Sequence, residues 1–283
     1  MMMITADSTC DMGNELKEKY NVTYFPFAIH LHGKEYRDGV DLTPDQIYAN
    51  YNKNKELPKT AATNDQGYID FFKPFVDQGW EVIHFNIGSG LSASYDSACR
   101  AAAALGGKVY PIDSRNLSTG IALQIIEAAA RMEQGMSAKQ IQQEINGLRT
   151  KVHSSFIIDT LEFLHAGGRC STLAYLGTNL LNIHPCIEVD STSGSMVVGK
   201  KHIGSLDKCL RQYARDKMKQ YEKDIRTDKV FITHSGVSEE RIALVKDMVE
   251  KAFDFDNIYV TRAGCTISTH CGPNTLGVLF MTK

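Results

Sequence analysis

The spacing of apolar and polar positions along the chain changes repeatedly, and each change marks an element. Met2 to Ala6 is a short apolar run closed by Asp7-Ser8-Thr9, which reads as a buried parallel strand with a polar loop at its carboxyl end. Asp11 to Tyr20 is short and charged, suited to a turn or a small helix. Val22 to Leu31 is β-favoured with Pro26 inside it, which places it near a sheet edge. His32-Gly33-Lys34 signals a turn, and Glu35 to Arg37 a return strand. Thr43-Pro44-Asp45-Gln46 joins a capping box to Pro at the first helical position and predicts a helix to about Asn52. Lys53 to Lys59 is polar and irregular. Thr63 with Gln66 makes a second capping box, so a helix is expected from there to about Asp77, with Thr60 in the loop ahead of it.

The central stretch has the sharpest pattern. Glu81 to Ile87 is a β-favoured run, Gly88-Ser89-Gly90 breaks it, and Leu91 to Leu105 is small, Ala-rich and helix-favouring. Lys108 to Ile112 predicts another strand, with Asp113-Ser114 at its carboxyl end. Ser118 to Met132 predicts an apolar helix, and a third capping box, Ser137 with Gln140, opens a helix to about Lys151. Alternating strands and helices call for a parallel sheet covered on both faces.

The rhythm changes after His153. Phe156 to Asp159 reads as a strand, and Leu161 to Ala166 as a short helix stopped by Gly167-Gly168, with Arg169 following. Ser171 to Asn182 has helical character. Pro185 to Val189 and Met196 to Lys201 flank Asp190-Ser191-Thr192-Ser193-Gly194 as a hairpin. Leu206 to about Lys223 is an amphipathic, Lys/Arg-rich helix. Then come strand Val230 to Thr233, helix Ser238 to Phe253, strand Ile258 to Thr261, a loop over Thr266 to Asn274, and a last strand, Leu276 to Met281. A hairpin among βα units predicts a mixed sheet. The fold class is therefore α/β in two parts, divided near residue 150.

Composition narrows the function. The chain of 283 residues has 43% hydrophobic and 23% charged content, enough for a large core. A net charge of −2 gives no reason to expect nucleic acid or an anionic membrane as a partner. Seven scattered cysteines without a C-x-x-C pair fit reduced thiols better than a disulfide framework. No leader-like or membrane-spanning apolar run is present, so a cytoplasmic protein without integral membrane association is expected.

The chemistry centres on the turn after Ile87. A helix N-terminus at the carboxyl end of a strand welcomes an anion, and Ser89, Ser92 and Ser94 add hydroxyl donors. The plainer reading is that Ser92 or Ser94 caps the helix. Gly90-Leu91-Ser92-Ala93-Ser94 also approaches a nucleophile elbow, which makes a serine hydrolase the alternative, with His270 as base and Asp190 or Asp228 as acid. The elbow's last Gly and an HGGG-type loop are missing. Gly88-Ser89-Gly90 lacks the third Gly of a dinucleotide fingerprint, and there is no Walker A sequence. His84, His234 and His270 lack metal-site spacing, so no metal is expected, and with neither nucleotide motif complete no cofactor is expected.

Taken together and in order, several of these segments resemble the DegV family of bacterial fatty-acid-binding proteins, which includes the FakB subunits of fatty acid kinase. They are Asp7-Ser8-Thr9, Pro58-Lys59-Thr60, Gly88 to Tyr95, Asp113-Ser114, Leu164 to Arg169, and His270-Cys271-Gly272-Pro273. The resemblance implies an N-terminal three-layer α/β/α domain with a parallel sheet, residues 1–150. It also implies a C-terminal two-layer α/β domain with a mixed sheet, residues 151–283. It further implies one buried long-chain fatty acid, with its carboxylate near Thr60, Ser92 and His270. Arg169 falls in the head-group region or at a docking face. Such a protein presents its carboxylate to a separate ATP-dependent fatty acid kinase for phospholipid synthesis and is not a stand-alone enzyme. The chain departs from the family at Ala61-Ala62-Thr63, at Ala93, and at His202, where many members carry Arg.

Overall fold

A computed structural model describes residues 1–170 and 182–283. The first half runs β1 (Met2–Asp7), α1 (Asn14–Lys19), β2 (Val22–Phe25), β3 (Ala28–Leu31), β4 (Lys34–Arg37), α2 (Pro44–Asn54), β5 (Lys59–Thr60), α3 (Asp65–Asp77), β6 (Glu81–Asn86), α4 (Ser94–Ala104), β7 (Val109–Asp113), α5 (Thr119–Glu133) and α6 (Ala138–Leu148). The second runs β8 (Val152–Ile157), α7 (Glu162–Gly167), β9 (Ile183–Asp190), β10 (Ser195–Ile203), α8 (Leu206–Gln220), β11 (Ile225–Ser235), α9 (Glu239–Ala252), β12 (Ile258–Arg262), α10 (Cys265–Cys271) and β13 (Thr275–Thr282). The helix expected over Ser171 to Asn182 lies, Asn182 apart, outside the described residues.

The N-terminal sheet is parallel, in the order β2-β1-β6-β7. Its outer face is covered by α3 and α4, where Tyr68, Phe72, Ala98 and Ala101 pack on Val82 and Val109. The C-terminal sheet is mixed, in the order β10-β9-β8-β13-β11-β12, with only β11 and β12 parallel among its pairs. Its outer face is covered by α8 and α9. The inner faces of both sheets meet one core: Ile83 and Phe85 from the first, Phe156, Phe231 and Leu279 from the second, and Ile121 and Ile125 of α5 between them. Every residue of α5 from Thr119 to Ala129 is buried. The apolar run read from Ser118 onward is the mark of a helix walled on all sides rather than of a surface helix.

The elements differ from the sequence reading in several places, among them Thr60, expected in a loop and found on β5. Pro26 does not sit within one edge strand. It separates β2, on the edge of the parallel sheet, from β3, which joins β4 and β5 in a small antiparallel sheet. The second capping box does not form. Asn64 takes the N-cap, accepting from the Gly67 N–H at 2.9 Å, and Gln66 turns to Asp70 instead. The strand placed at Phe156 to Asp159 starts earlier, at Val152, because its polar residues have partners: the His153 ring stacks on Phe280 and Ser155 pairs with Tyr213. The loop expected over Thr266 to Asn274 contains α10.

A cluster of charges ties α5 to the mixed sheet. The Glu127 carboxylate accepts from Arg226 and Lys229 of β11, each at 2.8 Å, and from Arg131 at 3.1 Å. Burial pushes its pKa up, but the hydrogen bonds from Arg226 and Lys229 outweigh it and leave the carboxyl at about 2. This contribution to stability is present above the ordinary carboxylate range and is lost as pH falls towards 2. Replacing Glu127 by Ala leaves Lys229, whose side chain is 9% exposed, with Asp228 as its remaining ion-pair partner. With Asp228 still compensating the cations, the expected cost is that of the lost charge-assisted hydrogen bonds, about 2 kcal/mol, read from urea unfolding at neutral pH. A loss below about 1 kcal/mol would show that the cluster behaves as a solvated surface pair.

Candidate functional site

Four segments far apart in sequence converge on one cavity. Thr60 lies on the short strand β5, held by pairing with Ile29 of β3. Ser92 lies in the turn between β6 and α4. His270 lies on α10, and Arg169 just past the end of α7. All four line a cleft of about 530 Å³, measured out to its open mouth, whose other walls include Phe27, Leu91, Leu117 and Met196.

The turn carrying Ser92 is fixed by carboxylates on the two strands flanking β6. Asp7, at the end of β1, accepts from the Ile87 N–H at 2.9 Å and the Tyr68 hydroxyl at 2.6 Å, and meets the His84 ring at 3.1 Å. Asp113, at the end of β7, accepts from both the N–H and the hydroxyl of Ser89. Ser89 is therefore committed to the scaffold. The Ser92 hydroxyl shares a proton with Ser94 at 2.8 Å and accepts from the Ser94 N–H at 3.2 Å. The N-cap of α4 is Ala93, without a side-chain cap bond, so neither serine caps the helix as expected, and Ser92 faces the cavity. If Ser94 supplies the shared proton, the Ser92 proton is free to point there.

His270 meets Thr60, with Nε2 at 2.8 Å from Oγ1. Its Nδ1 is buried and has no hydrogen-bond partner among the described residues. The ring lies against Gly167, where a Cβ would come within 2.2 Å of Nδ1, so the first Gly of Gly-Gly-Arg leaves room for the imidazole. Gly168 provides the left-handed stop of α7, its N–H reaching the carbonyls of Leu164 and His165. Burial, and then the charge of Arg169, hold His270 down to about 4, so the ring is neutral at physiological pH. A neutral ring carries one N–H. Placing it on Nδ1 would strand a buried donor, which costs more than leaving a lone pair unused. The favoured tautomer has Nε2–H donating to Thr60, and the Thr60 proton is then free for the cavity.

Beyond these polar groups the space is apolar. The cleft shares Leu117, Ile267 and Cys271 with a second pocket of about 330 Å³, again measured out to open solvent, between the start of α5 and the mixed sheet and lined also by Phe156, Gly277 and Leu279. On its other side, Thr60, Arg169 and His270 also line an outer cleft with Lys59 and Phe163. The Thr60–His270 pair thus divides a deep apolar space from a cationic vestibule.

A Ser-His-Asp triad is not assembled. No carboxylate meets His270 Nδ1 among the described residues. Asp190 organises the hairpin turn through Thr192 and Ser193, and Asp228 pairs with Arg226 and Lys229. The sequence reading missed the acids that build the site, Asp7, Asp11 and Asp38. The Asp11 carboxylate accepts from the Gly264 N–H at 2.8 Å and the Ser118 hydroxyl at 2.6 Å. Its carboxyl is raised to about 8, burial outweighing these bonds. The available signal was a set of Asp residues just past strand ends, but their partners lie up to 253 positions away.

Fold and site together define a class: an α/β protein with two large sheets and a small third one, and an apolar cavity beneath a hydroxyl–imidazole cluster. The chain matches, over residues 1–283, the family model described as "Uncharacterised protein, DegV family". It belongs to the DegV family. A DegV domain-containing protein of Clostridium perfringens is 28% identical over 284 residues, covering 99% of this chain and 98% of the other. A fatty-acid-binding DegV family protein from Thermus thermophilus superposes with a TM-score of 0.90 at 25% identity, covering 100% of this chain and 99% of that one. A stearic-acid-binding protein from Eubacterium ventriosum gives 0.85 at 27% identity, with the same coverage.

The charge state of His270 can be measured directly. NMR titration should place its midpoint near pH 4, with Nδ1 unprotonated in the neutral ring. Between the ordinary histidine value and that midpoint the unfolded chain binds a proton that the folded one does not. The stability supplied by the neutral ring is therefore present above about 6.5 and is lost as pH falls towards 4. A midpoint near 6.5 would contradict the buried, neutral imidazole.

Proposed function

We propose that this protein binds a long-chain fatty acid, its acyl chain in the two joined cavities and its carboxylate at the hydroxyls of Thr60 and Ser92. His270 stands behind Thr60 as its hydrogen-bond partner, and Arg169 lies at the head-group end. The observation that carries this reading is the gathering of Thr60, Ser92 and His270 at the mouth of an apolar space that continues past Leu117, Ile267 and Cys271. Fatty-acid binding in the similar Thermus thermophilus and Eubacterium ventriosum proteins supports it.

The energetics suit such a ligand. Burying about fifteen methylenes gains roughly 12 kcal/mol before the costs of ordering, at about 0.8 kcal/mol each. Two hydroxyl donors hold the carboxylate without a fixed ion pair, so the head group stays reactive. Its place between the apolar cavity and the vestibule lined by Lys59 and Arg169 is what a separate ATP-dependent kinase would need to reach it. We therefore assign the protein a presenting role, cytoplasmic and without a cofactor of its own, with the kinase making an acyl phosphate.

Solvent extraction of the purified protein should release fatty acid detectable by mass spectrometry. Replacing Thr60 and Ser92 together by Ala should weaken palmitate binding by about 3 kcal/mol, two donors being lost to a buried carboxylate. Protein that neither carries nor takes up an acyl ligand would defeat the reading, and unchanged affinity in the double variant would remove these hydroxyls from it. Presentation has its own test. Mixed with ATP and a fatty acid kinase catalytic subunit, the loaded protein should yield acyl phosphate, trapped with hydroxylamine. No product above that from free palmitate would leave a binding protein without a presenting role.

A further inference from the structure

We propose that Asp38 is the positioning residue of this site, holding α10 by its amino end and so setting the place of Thr266 and His270 in the cavity. The proposal rests on the reading of Thr60, Ser92 and His270 as a ligand site. Helix α10 has every reason not to form on its own. It is seven residues long, Cys-Thr-Ile-Ser-Thr-His-Cys, with no strong helix former among them. Isolated helices of that length are not stable in water. Its N-cap is Gly264, which makes no side-chain cap bond. The cap comes instead from Asp38, 227 positions away in sequence. Its Oδ1 accepts from the Cys265 N–H at 2.8 Å and its Oδ2 from the Thr266 N–H at 3.3 Å.

Asp38 is itself tied to the cavity wall. It is 4% exposed, and its Oδ2 also accepts from the Ser8 hydroxyl at 2.8 Å. Ser8 in turn accepts from the N–H of Phe27, which lines the cleft, and the Asp38 N–H donates to the Phe27 carbonyl. One carboxylate therefore joins the end of β1, the wall at Phe27 and the start of α10. From that start one short helix carries Thr266, Ile267, His270 and Cys271 to the cavity. A shift at Cys265 moves all four together, and the 2.8 Å contact between His270 and Thr60 with them.

The test is a double-mutant cycle read by palmitate displacement of cis-parinaric acid, with NMR of the His270 ring beside it. Asp38→Asn keeps the shape and one acceptor oxygen, so it serves where Asp38→Ala fails to fold. We expect Asp38→Asn and His270→Ala each to weaken palmitate binding about tenfold, and Asp38→Asn to add less than about twofold in the His270→Ala background. Leu210→Ala, in the core under α8, lowers stability without touching α10 and should leave affinity within about twofold. In Asp38→Asn the His270 ring signals should move and its titration midpoint rise. Full additivity, or His270 signals identical to those of the parent, would overturn the positioning role. If His270→Ala leaves palmitate binding unchanged, the ligand reading of His270 fails, and the ring signals alone decide whether Asp38 sets its place.

Discussion

A buried backbone N–H must find an acceptor, and this fold has a dense set of them where its strands end. The carboxyl ends of β1, β6 and β7 lie side by side, the start of α10 after β12 lies against them, and the chain runs through each of these places in a tight turn with little regular pairing. Four aspartates meet that demand. Asp7 takes the Ile87 N–H, Asp113 takes those of Ser89 and Arg115, Asp11 takes that of Gly264, and Asp38 takes those of Cys265 and Thr266. These are the same turns that bring Ser92 and His270 to the cavity. The rigidity of the site is a by-product of satisfying the backbone.

The polar groups that face the cavity form a mild set. Thr60 and Ser92 bring hydroxyls, and His270 is kept uncharged by burial and by Arg169. The cation nearest them is Arg169, an exposed side chain that lines both the cleft and the outer vestibule. Strong ion pairs in such a place would hold a head group tightly and screen it from any second reactant. On the proposed reading, hydroxyls at the mouth and hydrocarbon below would divide the work differently, with the apolar lining supplying affinity and the polar mouth supplying orientation.

Most of the fold can be read in the chain because its signals are local. The strand Glu81 to Asn86, the glycine break after it and the capping boxes at Thr43 and Ser137 need no partner outside a few residues, and they stand as expected. The site is less legible. Thr60, Ser92, Arg169 and His270 could be picked out by motif, and the cavity brings them together. What holds them could not. Cys265 to Cys271 has the composition of a loop and becomes a helix because of a carboxylate near residue 40. Asn64 and Thr63 are adjacent, both suited to capping, and only the packing around Gly67 chooses between them. Polar residues inside β8 hid the strand's start, since their partners, Phe280, Tyr221 and Tyr213, come from distant segments.

Helix α5 is enclosed by a sheet from the first half of the chain and a sheet from the second, and Glu127 fastens it to the latter. Neither half keeps a complete interior if the other is removed. The two halves therefore cannot be traded as modules between lineages, and a fusion or deletion that splits them exposes a fully apolar helix.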